Sequence, residues 1–376
     1  MSITGDDRDE FDYVIVGGGA AGCVLAARLS EDPSIRVCVL ESGPKDRHPM
    51  IRIPAGVIKL LFNPTYAWQF KTEPSPGTAM RPVFAPQGRT LGGSSSINGM
   101  IYNRGQHEDY DEWEALGANG WAYNNVLPYF KRSERRIGGL ANQYHGTLGE
   151  LPVSDADWKS PAVDAFIEGV SELGLPRNPD YNGPSQEGVG TLQRVIEDGR
   201  RVSASHAFLR PVRSRVDVRV QAHATKILFE NRRAMGVRYH DNRTSMQKEV
   251  IAKREVIVCS GALNTPKLMQ LSGIGPGIVL NENGIDVVSN LKGVGRNLQD
   301  HYGTRTVVRI RNARVQTQSY PECDERCECD GGYEVSSELV VAGCDASEVL
   351  QAAEGVFDEM AALVALDVVP DCALAI

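Results

Sequence analysis

The fold is decided by residues 11–16 (FDYVIV), which are followed at once by residues 17–22 (GGGAAG). The apolar run predicts a short buried strand, and the apolar residues after Gly22 recur at the spacing of a helix. Glycines let the chain turn tightly and approach a phosphate, while the helix N-terminus offers free N–H groups and a partial positive charge. Strand, glycine turn and helix in this order predict a binding site for the pyrophosphate of a dinucleotide.

A second strand is predicted over residues 36–40, and it leads directly into Glu41. This carboxylate lies 22 residues after Gly19, near the place where dinucleotide sites carry an acid that accepts hydrogen bonds from ribose hydroxyls. An acid at this position disfavours the 2′-phosphate of NADP and leaves NAD or FAD. The glycine pattern alone does not choose between these two, and a turn that only permits tight packing is the alternative.

Two later blocks also contain the small residues expected of a nucleotide site. Residues 88–102 (GRTLGGSSSINGMIY) can bring backbone N–H groups and small hydroxyls against a phosphate or a flat ring. Composition alone leaves a flexible Gly/Ser linker as the alternative for this block. Residues 261–276 (GALNTPKLMQLSGIGP) follow a strand predicted over residues 256–259, and Pro266 suits the first turn of a helix.

These two blocks resemble the two signatures of the glucose/methanol/choline (GMC) oxidoreductase family. Residues 53–74 and 293–301 also resemble choline-dehydrogenase-like members, and the resemblance runs from about residue 11 to about residue 311. It implies FAD, rather than NAD, and oxidation of the CH–OH group of a choline-like or other primary alcohol by hydride transfer to flavin N5. The electron acceptor would be oxygen or a quinone-type molecule.

The resemblance also implies an α/β fold built around a Rossmann-like FAD-binding domain. We expect this domain to be discontinuous, formed by residues 8–150 and 215–310. Residues 151–214 would begin a second, incomplete α+β substrate domain.

Site residues follow from the resemblance position by position. It implies that Gly17, Gly19 and Gly22 hold the FAD pyrophosphate and that Glu41 binds the adenosine ribose. The main chain of Ala224, in a strand-like segment, would meet the adenine. The further positions assigned to the cofactor site are Thr90, Gly92, Gly93, Asn98, Gly99, Met100 and Ile101.

This sequence departs from the family pattern in two respects. Some members attach FAD covalently through a histidine just before the asparagine, but Ile97 stands there, which implies noncovalent FAD. In the family that this sequence resembles, the catalytic base is a histidine near the end of the chain. In this sequence no histidine follows His301. We therefore assign no catalytic residue, and a catalytically inactive remnant that at most binds FAD is the alternative function. His301 is expected to pair with Asp300, and His206 to have a packing or surface role.

Residues 315–376 differ in composition from the rest of the chain. Residues 1–314 hold 39 Lys and Arg against 34 Asp and Glu, whereas residues 315–376 hold 1 against 14 and five of the eight cysteines. We interpret this segment as an unrelated acidic, Cys-rich tail that a frameshift, fusion or insertion introduced. The spacing of Cys323, Cys327 and Cys329 does not by itself close a tetrahedral zinc site, so no metal is expected.

The overall composition is that of a globular protein. The chain of 376 residues is 41% hydrophobic and 23% charged, without a run of eighteen apolar residues. Its first ten residues carry four acids and no apolar stretch typical of a secretory signal. We expect a cytoplasmic protein with no transmembrane segment, a small-molecule substrate and no nucleic-acid partner.

Overall fold

Parallel strands form the centre of the structure, a computed structural model that describes residues 9–156 and 160–300. The strands are β1 Asp9–Val16, β2 Val37–Glu41, β3 Ala67–Lys71, β4 Phe84–Gly88, β5 Ile101–Tyr102, β6 Glu134–Arg136, β7 Leu151–Val153, β8 Gln193–Arg194, β9 Ile196–Glu197, β10 Arg200–Arg201, β11 Val216–Val220, β12 Ala222–Glu230, β13 Arg233–Asp241, β14 Met246–Val258, β15 Ile274–Gly275 and β16 Ser289–Asn290. The α-helices are α1 Ala20–Leu29, α2 Pro49–Arg52, α3 Val57–Leu61, α4 His107–Ala115, α5 Tyr123–Ser133, α6 Pro161–Glu172, α7 Gly261–Leu271 and α8 Gly277–Glu282.

The main sheet has the strand order β11-β2-β1-β14-β13-β12. Strands β11, β2, β1 and β14 run parallel, and β13 pairs antiparallel with both β14 and β12. Because parallel strands end at the same edge of a sheet, the loops that follow β1, β2 and β14 meet there. The predicted α/β class with a Rossmann-like parallel core is confirmed.

Both faces of the central strands β1 and β2 are covered, which explains why residues 14–16 and 37–40 read as continuous apolar runs. Successive side chains of a strand point to opposite faces, so Ile15 packs with Cys23 of α1 while Val14 and Val16 pack on the other side. The residues that cover this second side are Ala222, Ile227, Val237, Tyr239, Val250 and Leu268. Strands β1 and β2 are therefore buried between α1 on one face and, on the other, α7 and the β12–β14 meander, which continues the same sheet and packs over β2.

The predicted strands are present, with shifted bounds. The strand predicted over residues 36–40 covers Val37–Glu41, and the one predicted over residues 256–259 is the end of the longer β14. No helix among the described ranges has the length and apolar character needed to cross a membrane.

The prediction that Pro266 lies in the first turn of a helix is wrong. Helix α7 begins at Gly261, so Pro266 lies in its second turn. The helix starts early because Cys259 N still donates to the carbonyl oxygen of Val16 (2.7 Å) and the chain then turns directly into it. Without an N–H, Pro266 cannot donate to the carbonyl one turn earlier.

Candidate functional site

The glycine turn at the end of β1 is crowded by backbone on two sides. Gly17 has φ +106°, and a Cβ there would overlap the carbonyl of Cys259, which follows β14. A Cβ at Gly22, in the first turns of α1, would overlap the carbonyl oxygen of Gly17. Glycine is therefore required at both positions, because the loop after β14 and the helix N-terminus leave no space for a side chain.

The block at residues 88–102 packs directly against this turn. Gly92 N donates to Gly18 O (2.7 Å), and a Cβ at Gly93 would lie 2.8 Å from the Cα of Gly19. Gly92 and Gly93 both have positive φ, +85° and +54°. Loops that are distant in sequence therefore converge on Gly17–Gly19, as a pyrophosphate site requires.

Glu41 closes the far side of the same turn. Its buried carboxylate accepts hydrogen bonds from Gly18 N and Gly43 N, both at 2.8 Å. Burial raises the pKa of this carboxyl to about 7, while the N–H groups of Gly43 and Gly18 and the charge of Arg89 oppose the rise. A carboxylate offers about four lone-pair positions, so two donors leave acceptor capacity for ribose hydroxyls.

Ala224 lies in β12, which packs over β2 although the two strands are far apart in sequence. Its neighbour His223 contacts Ser42 Oγ through Nδ1 at 3.1 Å, and the His223 ring lies 5.8 Å from the ring of Trp68. Burial, followed by the charges of Lys267 and Arg89, lowers the pKa of His223. We did not identify Trp68 or His223 as site residues from the sequence, and their position beside Ala224 follows only from the packing of β12 over β2.

Thr90 links the block at residues 88–102 to the segment after Glu41. It is fully buried, and its Oγ1 donates to Pro44 O at 2.9 Å. The structure thus gives the hydroxyl a partner within the protein, and the flavin-lining role of Thr90 stays a prediction.

Residues 98–101 form a tight turn beside the glycine loop. Asn98 Oδ1 accepts a hydrogen bond from Met100 N (3.1 Å), and Met100 has the left-handed φ of +62°. A Cβ built on Gly99 would meet no atom within 4 Å, so the backbone there faces open space. Asn98, Met100 and Ile101 line a pocket together with Ala20 from the first turn of α1.

The residue at the position of covalent attachment belongs to the core. Ile97 is 1% exposed and packs with Ile51, Leu60 and Ala67. Its side chain is therefore directed into protein packing and offers no attachment chemistry.

Comparison with known proteins identifies the family of a chain with this geometry. A family model described as GMC oxidoreductase matches residues 11–303. The chain belongs to the GMC oxidoreductase family.

Relatives and solved structures agree with this assignment. An alcohol dehydrogenase (acceptor) of Pseudomonas putida is 46% identical over 293 residues, which cover 77% of this chain and 53% of that protein. An oxygen-dependent choline dehydrogenase of Brucella anthropi is also 46% identical over 293 residues, covering 78% of this chain and 53% of that protein. The crystal structure of pyridoxine 4-oxidase from Mesorbium loti matches with a TM-score of 0.74 and 36% identity, covering 79% of this chain and 60% of that one.

The cofactor of GMC oxidoreductases is FAD, and this chain spans about half the length of the curated relatives it matches. The residues present fit FAD on two observations. At Gly17 and Gly22 backbone fills the space where a side chain would stand, and a buried carboxylate with spare acceptor capacity lies beside the turn. The predicted cofactor is confirmed at the level of the family.

A buried charged network that we did not predict lies near the pocket of this GMC chain. Arg104 Nη2 donates to Glu134 Oε2 (2.9 Å), and the His145 ring contacts Glu134 Oε1 and Asp180 Oδ2, both at 2.8 Å. Burial disfavours the charged imidazole, but the hydrogen bonds to Asp180 and Glu134 outweigh it and raise the pKa of His145 to about 9. No local motif indicates this network, since its members lie on separate segments.

His206 is half-buried among arginines. Its Nδ1 lies 3.2 Å from Nη1 of Arg210 and 3.5 Å from Nη1 of Arg52. Burial and the charges of Arg52 and Arg210 lower the pKa of this imidazole. The packing role of His206 stays a prediction, while the predictions for His301 and for residues 315–376 fall outside the described residues.

Proposed function

We propose that this chain forms the FAD-binding part of an oxidoreductase that acts on the CH–OH group of a choline-like or other primary alcohol. The observation that carries the proposal is the convergence of the loops after β1, β2 and β14 and of residues 88–102 on Gly17–Gly19. The relatives named for alcohol and choline support the substrate class.

In this proposal each part of FAD has its own residues. Gly17, Gly19 and Gly22 hold the pyrophosphate at the N-terminus of α1, where free N–H groups favour negative charge. Glu41 accepts hydrogen bonds from the ribose hydroxyls, and the main chain of Ala224 meets the adenine. The residues around the flavin are Thr90, Gly92, Gly93, Asn98, Gly99, Met100 and Ile101.

The bound flavin would accept a hydride at N5, and the protein would position it and exclude water. Ile97 has no group for covalent attachment, which supports noncovalent binding. Of the histidines in the described residues, His145 already contacts two carboxylates and His223 contacts Ser42, so we assign neither as the base for the alcohol.

A catalytically inactive remnant that binds FAD is the second candidate function. It is the alternative because the reaction needs a group that takes the hydroxyl proton, and we assign no such group among the described residues. The division into a discontinuous FAD-binding domain (8–150 and 215–310) and a substrate domain beginning at 151–214 is likewise a proposal, as is the cytoplasmic location.

A visible spectrum of the purified protein distinguishes the two functions. Yellow protein that an alcohol bleaches anaerobically supports an active flavoenzyme, and yellow protein that does not bleach supports the remnant. Colourless protein that NAD but not FAD saturates would contradict both. Reoxidation of bleached protein by oxygen, compared with a soluble quinone, then identifies the electron acceptor.

A further inference from the structure

Arg201 is a buried arginine that joins three segments of the chain. It lies in β10 and is 1% exposed, whereas its neighbour Arg200 is exposed. Its Nε donates to Ile51 O at 2.9 Å, and its Nη1 donates to Asn98 Oδ1 at 2.7 Å and Ser95 O at 3.3 Å. Arg201 therefore links α2 to the turn that contains the predicted flavin residues.

The burial of this arginine has a cost that its contacts only partly offset. Its Nη2 is buried without a hydrogen-bond partner, and none of the ion pairs found among the described residues includes Arg201. Burial accordingly lowers the pKa of the guanidinium to about 10. A buried charge without an ionic partner lowers stability, so a residue retained there for packing alone would be better replaced by an apolar one.

The contact with Asn98 determines how its amide is oriented. The amide oxygen is the only acceptor of an asparagine side chain, and both Arg201 Nη1 and Met100 N donate to it. This fixes the oxygen toward the protein and leaves Nδ2, with its two donors, for other partners. Asn98 is half-buried and lines the pocket beside Ala20.

The orientation of the Asn98 amide also supports an unfavourable backbone conformation at Met100. Met100 has φ +62°, which L residues with a side chain rarely adopt, and Asn98 Oδ1 holds Met100 N in place. Losing the guanidinium would free the amide to rotate and would remove one restraint on this turn.

We propose that Arg201 is a positioning residue of the flavin site, which fixes the Asn98 amide so that Nδ2 is presented to an acceptor atom of the flavin ring. This inference rests on the proposed function, because it places FAD against residues 98–101. Arg201 acts through Asn98 and needs no contact with the cofactor.

A double-mutant cycle on the full chain tests the proposal. The variants are Arg201→Met, Asn98→Ala and both together, with Arg200→Met as the matched control in the same strand. The dissociation constant of FAD is measured by quenching of flavin fluorescence on apoprotein, with the folded fraction checked by thermal unfolding. Each single change should weaken FAD binding about 10-fold, the effect of losing one hydrogen bond of about 1.4 kcal/mol, and Arg200→Met should change it less than about twofold.

The coupling between the two changes decides the outcome. If Arg201 acts through Asn98, the double variant binds FAD no more weakly than Asn98→Ala, and the flavin absorption band of Arg201→Met matches that of Asn98→Ala. Effects that multiply to about 100-fold would overturn the proposal, as would unchanged FAD binding in Arg201→Met. If Arg201→Met does not fold, Arg201→Leu, which also has no hydrogen-bond donor, replaces it under the same criterion. Wild-type protein that binds no FAD would instead refute the proposed function itself.

Discussion

Glu41 is a buried carboxylate at the end of β2, and its surroundings both oppose and support its charge. Burial raises its pKa to about 7, while the N–H groups of Gly43 and Gly18 favour the ionised form. Because this carboxyl titrates near neutral pH, the affinity for any ligand that binds its ionised form depends on pH.

We expect the affinity for AMP, which reaches only the adenosine part of the site, to be about tenfold lower at pH 6 than at pH 8. Ribose hydroxyls donate to the ionised carboxylate, and protonation below the pKa of about 7 removes that acceptor. Calorimetric titration at both pH values measures the effect. Glu41→Gln should bind AMP weakly at both, and a wild-type affinity that does not change with pH would contradict this role.

Gly17 and Gly117 allow conformational strain to be separated from steric overlap. Their φ angles are +106° and +105°, but a Cβ at Gly17 would overlap Cys259 whereas one at Gly117 would meet no atom within 4 Å. Gly117→Ala should lose about 1 kcal/mol of stability from strain alone. Gly17→Ala should lose about 1 to 3 kcal/mol more from overpacking and bind FAD at least about tenfold more weakly. Urea unfolding and FAD titration check both, and equal losses of stability would show that the overlap is relieved.

At the scale of elements, His145 connects two segments that lie outside the main sheet. It contacts Glu134, the first residue of β6, and Asp180 in a loop far along the chain. The imidazole side chain is 3% exposed, so solvent screens these contacts little.

This network should make stability depend on pH. The folded pKa of His145, about 9, lies above its ordinary value of 6.5, so the stabilisation is complete below about pH 6.5 and is lost as the pH rises through 9. One pKa unit corresponds to about 1.4 kcal/mol, so the full effect is on the order of 3 kcal/mol. Urea unfolding of wild type and His145→Gln between these pH values measures it. The stability difference between them should shrink as the pH rises, and a constant difference would refute the assignment.

At the scale of the whole molecule, the site belongs to no single element. The loops after β1, β2 and β14 contribute to it together with residues 88–102. The parallel sheet brings these segments to one edge, and the glycines let them approach each other.

Hydrogen–deuterium exchange should show that FAD orders these segments together. We expect FAD to increase protection of residues 17–22, 41–43, 88–101 and 259–261, because each contributes backbone to the same cradle. Protection of β14, which pairs with β13 through residues 246–251 and with β1 through residues 250–258, should already be high without FAD. A response confined to residues 17–22 would contradict a shared site.

Part of the site could be predicted from the sequence because its determinants are local. The strand, the glycine turn and Glu41 lie within about thirty residues, and the limits on backbone geometry at Gly17 and Gly22 hold wherever the turn is placed. The side chains of Val14 and Val16 lie on one face of the sheet and that of Ile15 on the other, which likewise follows from the two-residue period of a strand.

The remaining features required the tertiary structure. Arg201 contacts Asn98 across 103 residues, and His145 contacts Asp180 across 35, so no spacing in the sequence indicates either pair. The second-turn position of Pro266 also follows from where β14 ends beside β1. The sequence determined the cofactor turn because its conformation is set by neighbouring residues, whereas the buried polar partners were decided by chain segments that only folding brings together.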